Sequence, residues 1–146
     1  MTTTTKLQMM IIVLSKDNMQ IIKEQDVVPF RNRVKENAVK IKMSLLNQTK
    51  LITAASELVR NMLKYAGGGQ TIIEIITKER LTGIRLTFAD KGPGIADIAL
   101  AMKDGYSTGK SLGLGLPGAK RLVNEFNITS EKGKGTTVII IKWTNG

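Results

Sequence analysis

Residues 82–94 read Thr-Gly-Ile-Arg-Leu-Thr-Phe-Ala-Asp-Lys-Gly-Pro-Gly, and the break inside this stretch decides how the chain folds. Ile84–Ala89 alternates apolar with polar side chains, the period of a strand with one buried face. Asp90-Lys91-Gly92-Pro93-Gly94 then stops the strand abruptly. A strand of this kind carries the Asp90 carboxylate to the floor of a cleft, where it can accept donors from an amino-bearing base. Gly92 and Gly94 let backbone approach a flat ring closely. Standing alone, the same pattern also fits an ordinary β-turn with Pro93 at a corner.

Working outward, Thr71–Thr77 is a second strand-like run, joined to the first by a Thr82-Gly83 turn. Before it, Leu51, Ile52, Ala55, Leu58, Val59, Met62 and Leu63 recur at helical spacing from a start near Asn47. Gly67-Gly68-Gly69 ends that helix, since glycine takes the left-handed stop. An earlier helix, capped by Asp26 with Pro29 in its first turn, presents Phe30, Val34, Ala38 and Ile41 on one face. The apolar blocks Met9–Leu14 and Met19–Lys23 flank Ser15-Lys16-Asp17-Asn18, which has turn composition and predicts a hairpin.

Downstream, a short helix is expected around Asp97–Met102 and a longer one over Leu116 to Glu125. A last strand, Thr136–Trp143, follows Gly133-Lys134-Gly135. Locally paired strands with helices laid on one face make an α+β, two-layer α/β sandwich with a mixed, mostly antiparallel sheet. A doubly wound parallel sheet needs stricter alternation of strand and helix. The 146 residues suit one domain over 18–146, preceded by an extension over 1–17 that can add an edge strand.

Composition narrows the chemistry. The chain has no His and no Cys. Disulfides, thiolate nucleophiles, imidazole bases and imidazole or thiolate metal ligands are therefore excluded. Carboxylates, amides, hydroxyls, lysines and backbone remain. The longest apolar run, Met9–Leu14, is too short to span a bilayer, and Met1–Thr5 has no signal-type apolar core, so a cytoplasmic setting without membrane contact is expected. Lys plus Arg is 22 against 12 Asp plus Glu, a formal charge of +10. Aromatic residues are only 4% and the basic residues are spread along the chain, which argues against nucleic acid. Acidic partners or a polyphosphate are the more economical counterpart.

Three further elements carry chemistry. Glu57 and Asn61 lie four apart on the second helix and project from one face. An amide oxygen there can ligate Mg²⁺, and a carboxylate can take a proton from an attacking hydroxyl. Lys64 follows by three and can lean toward phosphates. Gly113-Leu114-Gly115-Leu116-Pro117-Gly118 opens a helix, offering backbone N–H groups to an anion. It lacks the Gly-Lys-Ser/Thr close of a P-loop. Gly133-Lys134-Gly135-Thr136-Thr137 enters the last strand, with a Thr hydroxyl available beside Asp90. Each element alone is equally an exposed helix face, a surface loop or a hairpin turn.

Their order changes the reading. Helix Glu/Asn, strand-Asp-Gly-Gly, glycine-rich segment before a helix, then Gly-x-Gly-Thr before a strand resembles the N, G1, G2 and G3 boxes of the GHKL superfamily, over roughly residues 18–143. The resemblance implies the Bergerat ATP-binding fold. Without a phosphoacceptor His, and at this length, the chain is similar to the small serine/threonine kinases of sigma-factor partner switching. Ser56–Asn61, Tyr65-Ala66-Gly67, Asp104–Thr108, Gly113–Gly118 with Lys120-Arg121-Leu122, and Lys142-Trp143 resemble the stressosome switch kinases. Anti-sigma factor kinases are near relatives. The block Met9–Leu14 departs from the family core.

What the resemblance implies is specific. Glu57 is the general base and Asn61 the Mg²⁺ ligand. Asp90 reads the adenine amino group, with Gly92 and Gly94 shaping the base pocket. Gly113 and Gly115 present amides to the phosphates, Thr136 supports Asp90, and Lys110 reaches the γ-phosphate. The implied cofactors are ATP and Mg²⁺. The implied partners are STAS-domain scaffold and antagonist proteins of the stressosome and a PP2C-type phosphatase, with sequestration of a sigma subunit as the alternative output.

Overall fold

The computed structural model describes residues 10–103 and 115–145. Five strands form one sheet in the order β1-β2-β3-β5-β4: β1 Ile11–Ile21, β2 Gly69–Lys78, β3 Leu81–Asp90, β4 Glu125–Glu131 and β5 Gly135–Trp143. Every pairing among the described strands is antiparallel, the limiting case of the mostly antiparallel sheet expected. A 3₁₀ turn at Glu24–Asp26 leads into α1 (Val27–Lys40), followed by α2 (Leu45–Ala66), α3 (Ile98–Ala101) and α4 (Leu116–Leu122). No described helix is long and apolar enough to cross a membrane.

The core lies between the sheet and the layer of α1, α2 and α4. Phe30, Val34 and Ala38 of α1 meet Leu51, Ala55 and Val59 of α2 over Ile73, Ile84, Leu86 and Ile140 of the sheet, all fully buried. Phe30 packs edge-on against Phe88 at 5.7 Å between centroids. Burying a side chain of this size stabilises by roughly 1.5–3 kcal/mol. The long helix α2 is the floor on which α4 rests. Ser44 caps it, its Oγ accepting the Asn47 N–H at 3.2 Å, and Gly67 ends it in the left-handed conformation.

Several local expectations are corrected. Residues 11–21 form one strand instead of a hairpin, because Ser15 to Asn18 pair with Ile75 to Ile72 of β2. The register slips once between Val13 and Ser15, and the expected boundary between residues 17 and 18 falls inside this strand. Asp26 does not cap α1; its Oδ2 accepts the backward N–H groups of Ile22 and Lys23 and so closes the turn out of β1. The β2–β3 turn sits at Glu79-Arg80, with Glu79 at φ 57°. Gly83 is inside β3, where a Cβ would stand 2.7 Å from the Trp143 ring. That glycine admits the indole instead of making a turn.

The helix expected over 116–125 stops at Leu122, and the sequence reading lacked β4. Val123 is extended, Asn124 donates its N–H to the Ile141 carbonyl, and its Oδ1 accepts the Trp143 N–H. The chain thereby joins the outer edge of β5.

Lys142 is buried at the helix side of β5, and burial together with nearby Lys50 lowers its pKa from the ordinary 10.5. A base whose folded pKa is depressed binds its proton less well when folded, so its charge costs stability below the folded pKa. That cost fades as pH rises toward 10.5. Replacing Lys142 with Met should therefore raise the melting temperature at pH 7. The gap to the wild type should narrow in a denaturation series run up to pH 10.

Candidate functional site

β3 ends at Asp90 because the chain must turn there, and β5 begins opposite it, Asp90 pairing with Thr136. Asp90 Oδ1 accepts the Gly92 N–H at 2.9 Å and the Thr136 N–H at 3.2 Å. Two backbone donors thus fix one oxygen of the carboxylate, and among the described residues Oδ2 has no partner, leaving it to a ligand donor. Thr136 contacts Asp90 through its N–H, while its hydroxyl pairs with Ser130 Oγ at 2.7 Å. Ser130 Oγ also accepts the Ile95 N–H and donates to the Gly135 carbonyl. Gly133 N–H bonds the Pro93 carbonyl. These bonds tie the loop after β3 to the β4–β5 hairpin.

Gly135 makes this closeness possible. It sits at φ 113°, and a Cβ there would run into the Asp90 backbone carbonyl. Gly135→Ala should cost on the order of 2–4 kcal/mol in urea unfolding, from strain plus overlap with rigid backbone.

Above Asp90 opens a cavity of about 400 Å³. Leu58, Met62, Phe88, Ile95, Ile128 and Val138 give it apolar walls, while Asn61, Asp90 and Thr136 place polar groups in it. A shape of this kind suits a flat, largely apolar ring with a few polar edges. Gly94 lines it directly, and Gly92 stands at its edge against Ala66. The structure therefore brings Asn61, Asp90, Gly92, Gly94 and Thr136 together.

Glu57 lies outside the apolar cavity, exposed one turn before Asn61. Gly115, at the start of α4, is seated on it: a Cβ at Gly115 would stand 2.6 Å from Glu57 Oε2. Lys64 is exposed at the rim, its Nζ 5.1 Å from the Tyr65 ring centroid. Lys110 and Gly113 lie outside the described residues.

Sequence reading names Tyr65 only within the Tyr65-Ala66-Gly67 stretch, without a role in the site, and leaves Ser130 out. Tyr65 lines the cavity and its hydroxyl is buried with no hydrogen-bond partner among the described residues, so a ligand donor or acceptor there would satisfy it. Its position one after Lys64 on the Glu57/Asn61 helix was the available signal. Ser130 was hidden with β4, whose alternation of Phe126, Ile128 and Ser130 on one face was the sign.

Comparison with known proteins agrees with this geometry. The profile of the Histidine kinase-, DNA gyrase B-, and HSP90-like ATPase family matches residues 46–144, from the start of α2 to the end of β5. The serine/threonine-protein kinase RsbT of Bacillus subtilis is 42% identical over 124 residues, 85% of this chain and 93% of that protein. The anti-sigma F factor of Clostridium acetobutylicum is 33% identical over 96 residues, 61% of this chain and 65% of that protein. The C4-dicarboxylate transport sensor protein DctB of Rhizobium meliloti is 34% identical over 96 residues, but these are only 16% of its length. The chain belongs to the histidine kinase-, DNA gyrase B- and HSP90-like ATPase family, in the branch of the RsbT-like serine/threonine-protein kinases.

Proposed function

We propose that this chain is a partner-switching protein kinase that transfers the γ-phosphoryl group of ATP to a Ser or Thr hydroxyl on STAS-domain scaffold or antagonist proteins. Once released from them, it activates a PP2C-type phosphatase. The observation that carries the reading is Asp90, held by two backbone N–H groups with its second oxygen open at the floor of an apolar cavity.

In this reading Asp90 Oδ2 accepts the adenine amino group, and Gly92 and Gly94 allow the ring to lie close. Asn61, Lys64 and Gly115 serve the ribose-phosphate side, and Lys110 and Gly113, which precede Gly115 in the sequence, are assigned to the phosphates with them. Glu57 takes the proton from the acceptor hydroxyl while its oxygen bonds the γ-phosphorus and the bond to ADP breaks. With no imidazole anywhere in the chain, a carboxylate is the natural base. Positioning and charge neutralisation supply the remainder of the rate.

Among the described residues no three His, Cys, Asp or Glu side chains cluster to hold a metal. A lone amide oxygen at Asn61 nevertheless fits Mg²⁺, which keeps several waters and takes phosphate oxygens as further ligands. When bound, the ion neutralises phosphate charge.

The test is a radiolabelled transfer assay with ATP and purified STAS-domain proteins from the same genome. Label is expected on a Ser or Thr of one of them. The likeness to an anti-sigma F factor supports a second output, sequestration of a sigma subunit. A pull-down offering sigma factor, STAS protein and phosphatase together separates the two, and the kinase is expected to retain the latter pair.

A further inference from the structure

The helix surface around Glu57 has an unusual charge. On α2 the ionisable side chains with a formal charge at neutral pH are Lys50, Glu57, Arg60 and Lys64; on α4 they are Lys120 and Arg121. These two helices are packed together, with Gly115 of α4 seated on Glu57. Glu57 is therefore the lone carboxylate on a helix pair that carries five basic side chains. Arg60 is exposed one turn beyond Glu57 on the same side of α2, and it has neither an ion pair nor a hydrogen bond among the described residues. Lys120 is exposed on α4. At the far end Lys50 stands near Lys142, adding a further positive charge to this side of α2. Among the described residues, Asp17, Glu36, Glu74 and Glu131 make ion pairs, and they belong to other elements.

A general base does not require the cations Arg60 and Lys120, which lie outside the nucleotide cavity. Two long side chains left unpaired among the described residues are instead suited to meeting charge on another molecule. We infer that the exposed α2–α4 surface is the docking face for the phosphoacceptor protein, and that Arg60 and Lys120 receive acidic side chains flanking the acceptor hydroxyl, setting it against Glu57. The occupant is a folded, acidic protein surface. This rests on the kinase reading above and adds what selects the substrate. Like-signed charge here would also repel basic partners, so the face discriminates as well as attracts.

The experiment uses the full chain and the STAS-domain protein that the wild type labels. Arg60→Glu with Lys120→Glu should lower kcat/KM for that acceptor about 30-fold or more, through KM. The affinity for ATP, measured by calorimetry, should stay within about twofold. The wild-type kcat/KM should fall steeply between low and high salt, and the charge-reversed protein should lose that slope. Arg60→Lys should keep most of the rate, and reversing acidic residues beside the acceptor hydroxyl to Lys should restore part of what Arg60→Glu removes. Unchanged kcat/KM and salt slope in the double variant overturn the inference while leaving the kinase reading intact. An equal loss of ATP affinity also overturns it, by moving Arg60 and Lys120 into the nucleotide site. Reduced affinity for double-stranded DNA with unchanged labelling overturns it in favour of a nucleic-acid face. Failure of the wild type to label any STAS protein removes the kinase reading and this inference together.

Discussion

Glu57→Gln is expected to lower phosphotransfer by 10²–10⁴-fold while ATP affinity stays within about threefold, since a positioned base contributes a factor of that order. The amide keeps the size and the contact with Gly115, so the start of α4 has no steric reason to move. Only the capacity to accept the proton is lost. Glu57 also lies outside the apolar cavity, which separates its effect from nucleotide binding. Single-turnover transfer with saturating ATP, set beside a calorimetric ATP titration, measures both quantities. A parental transfer rate in this variant would show that another group, or solvent, takes the proton.

Asp90→Asn should have the opposite signature, a loss of ATP binding of about 100-fold with the fold retained. Oδ1 is committed to the N–H groups of Gly92 and Thr136. An asparagine has one acceptor oxygen, and those two fixed donors claim it. Its NH₂ then points into the cavity, where the carboxylate had offered an acceptor. An amino-bearing ligand would meet donor against donor, and an unpaired polar group buried there costs about 1–3 kcal/mol. Affinity for ATP should fall far more than the urea midpoint. Retained affinity would mean that the cavity holds its ligand through other contacts.

These two outcomes differ because the residues stand on different elements, and that division was only partly visible in the sequence. The helix bearing Glu57 and Asn61 announced itself by periodicity, and its glycine stop was legible to the residue. Asp90 was equally clear, because an alternating strand breaks there into Lys-Gly-Pro-Gly. The pairing that orients Asp90 was not legible, since it is made by the backbone of residue 136, and a backbone donor leaves no trace in residue type. What residue type does show at 136, the hydroxyl, pairs with Ser130.

The misreadings share one cause: composition was allowed to outrank long-range pairing. Ser15-Lys16-Asp17-Asn18 looks like a turn, but four consecutive residues of β2 offer it a ladder, and tertiary context prevails over local preference. Asp17 is paired there with Arg33 of α1. The helix was carried three residues too far, to Glu125, and the strand Glu125–Glu131 went unassigned because it is short and polar on alternate residues. Thr82-Gly83 looked like a hairpin corner, yet the glycine answers to an indole on the neighbouring strand.

The anchoring of Asp90 by the amide hydrogen of residue 136 has a consequence for how this protein can drift. Nearly any amino acid brings that hydrogen, so the identity of residue 136 is free to wander while the carboxylate beside it keeps its aim. Proline is the exception, because it alone has no hydrogen to give. A family of descendants should accordingly tolerate many substitutions at 136 and avoid that one.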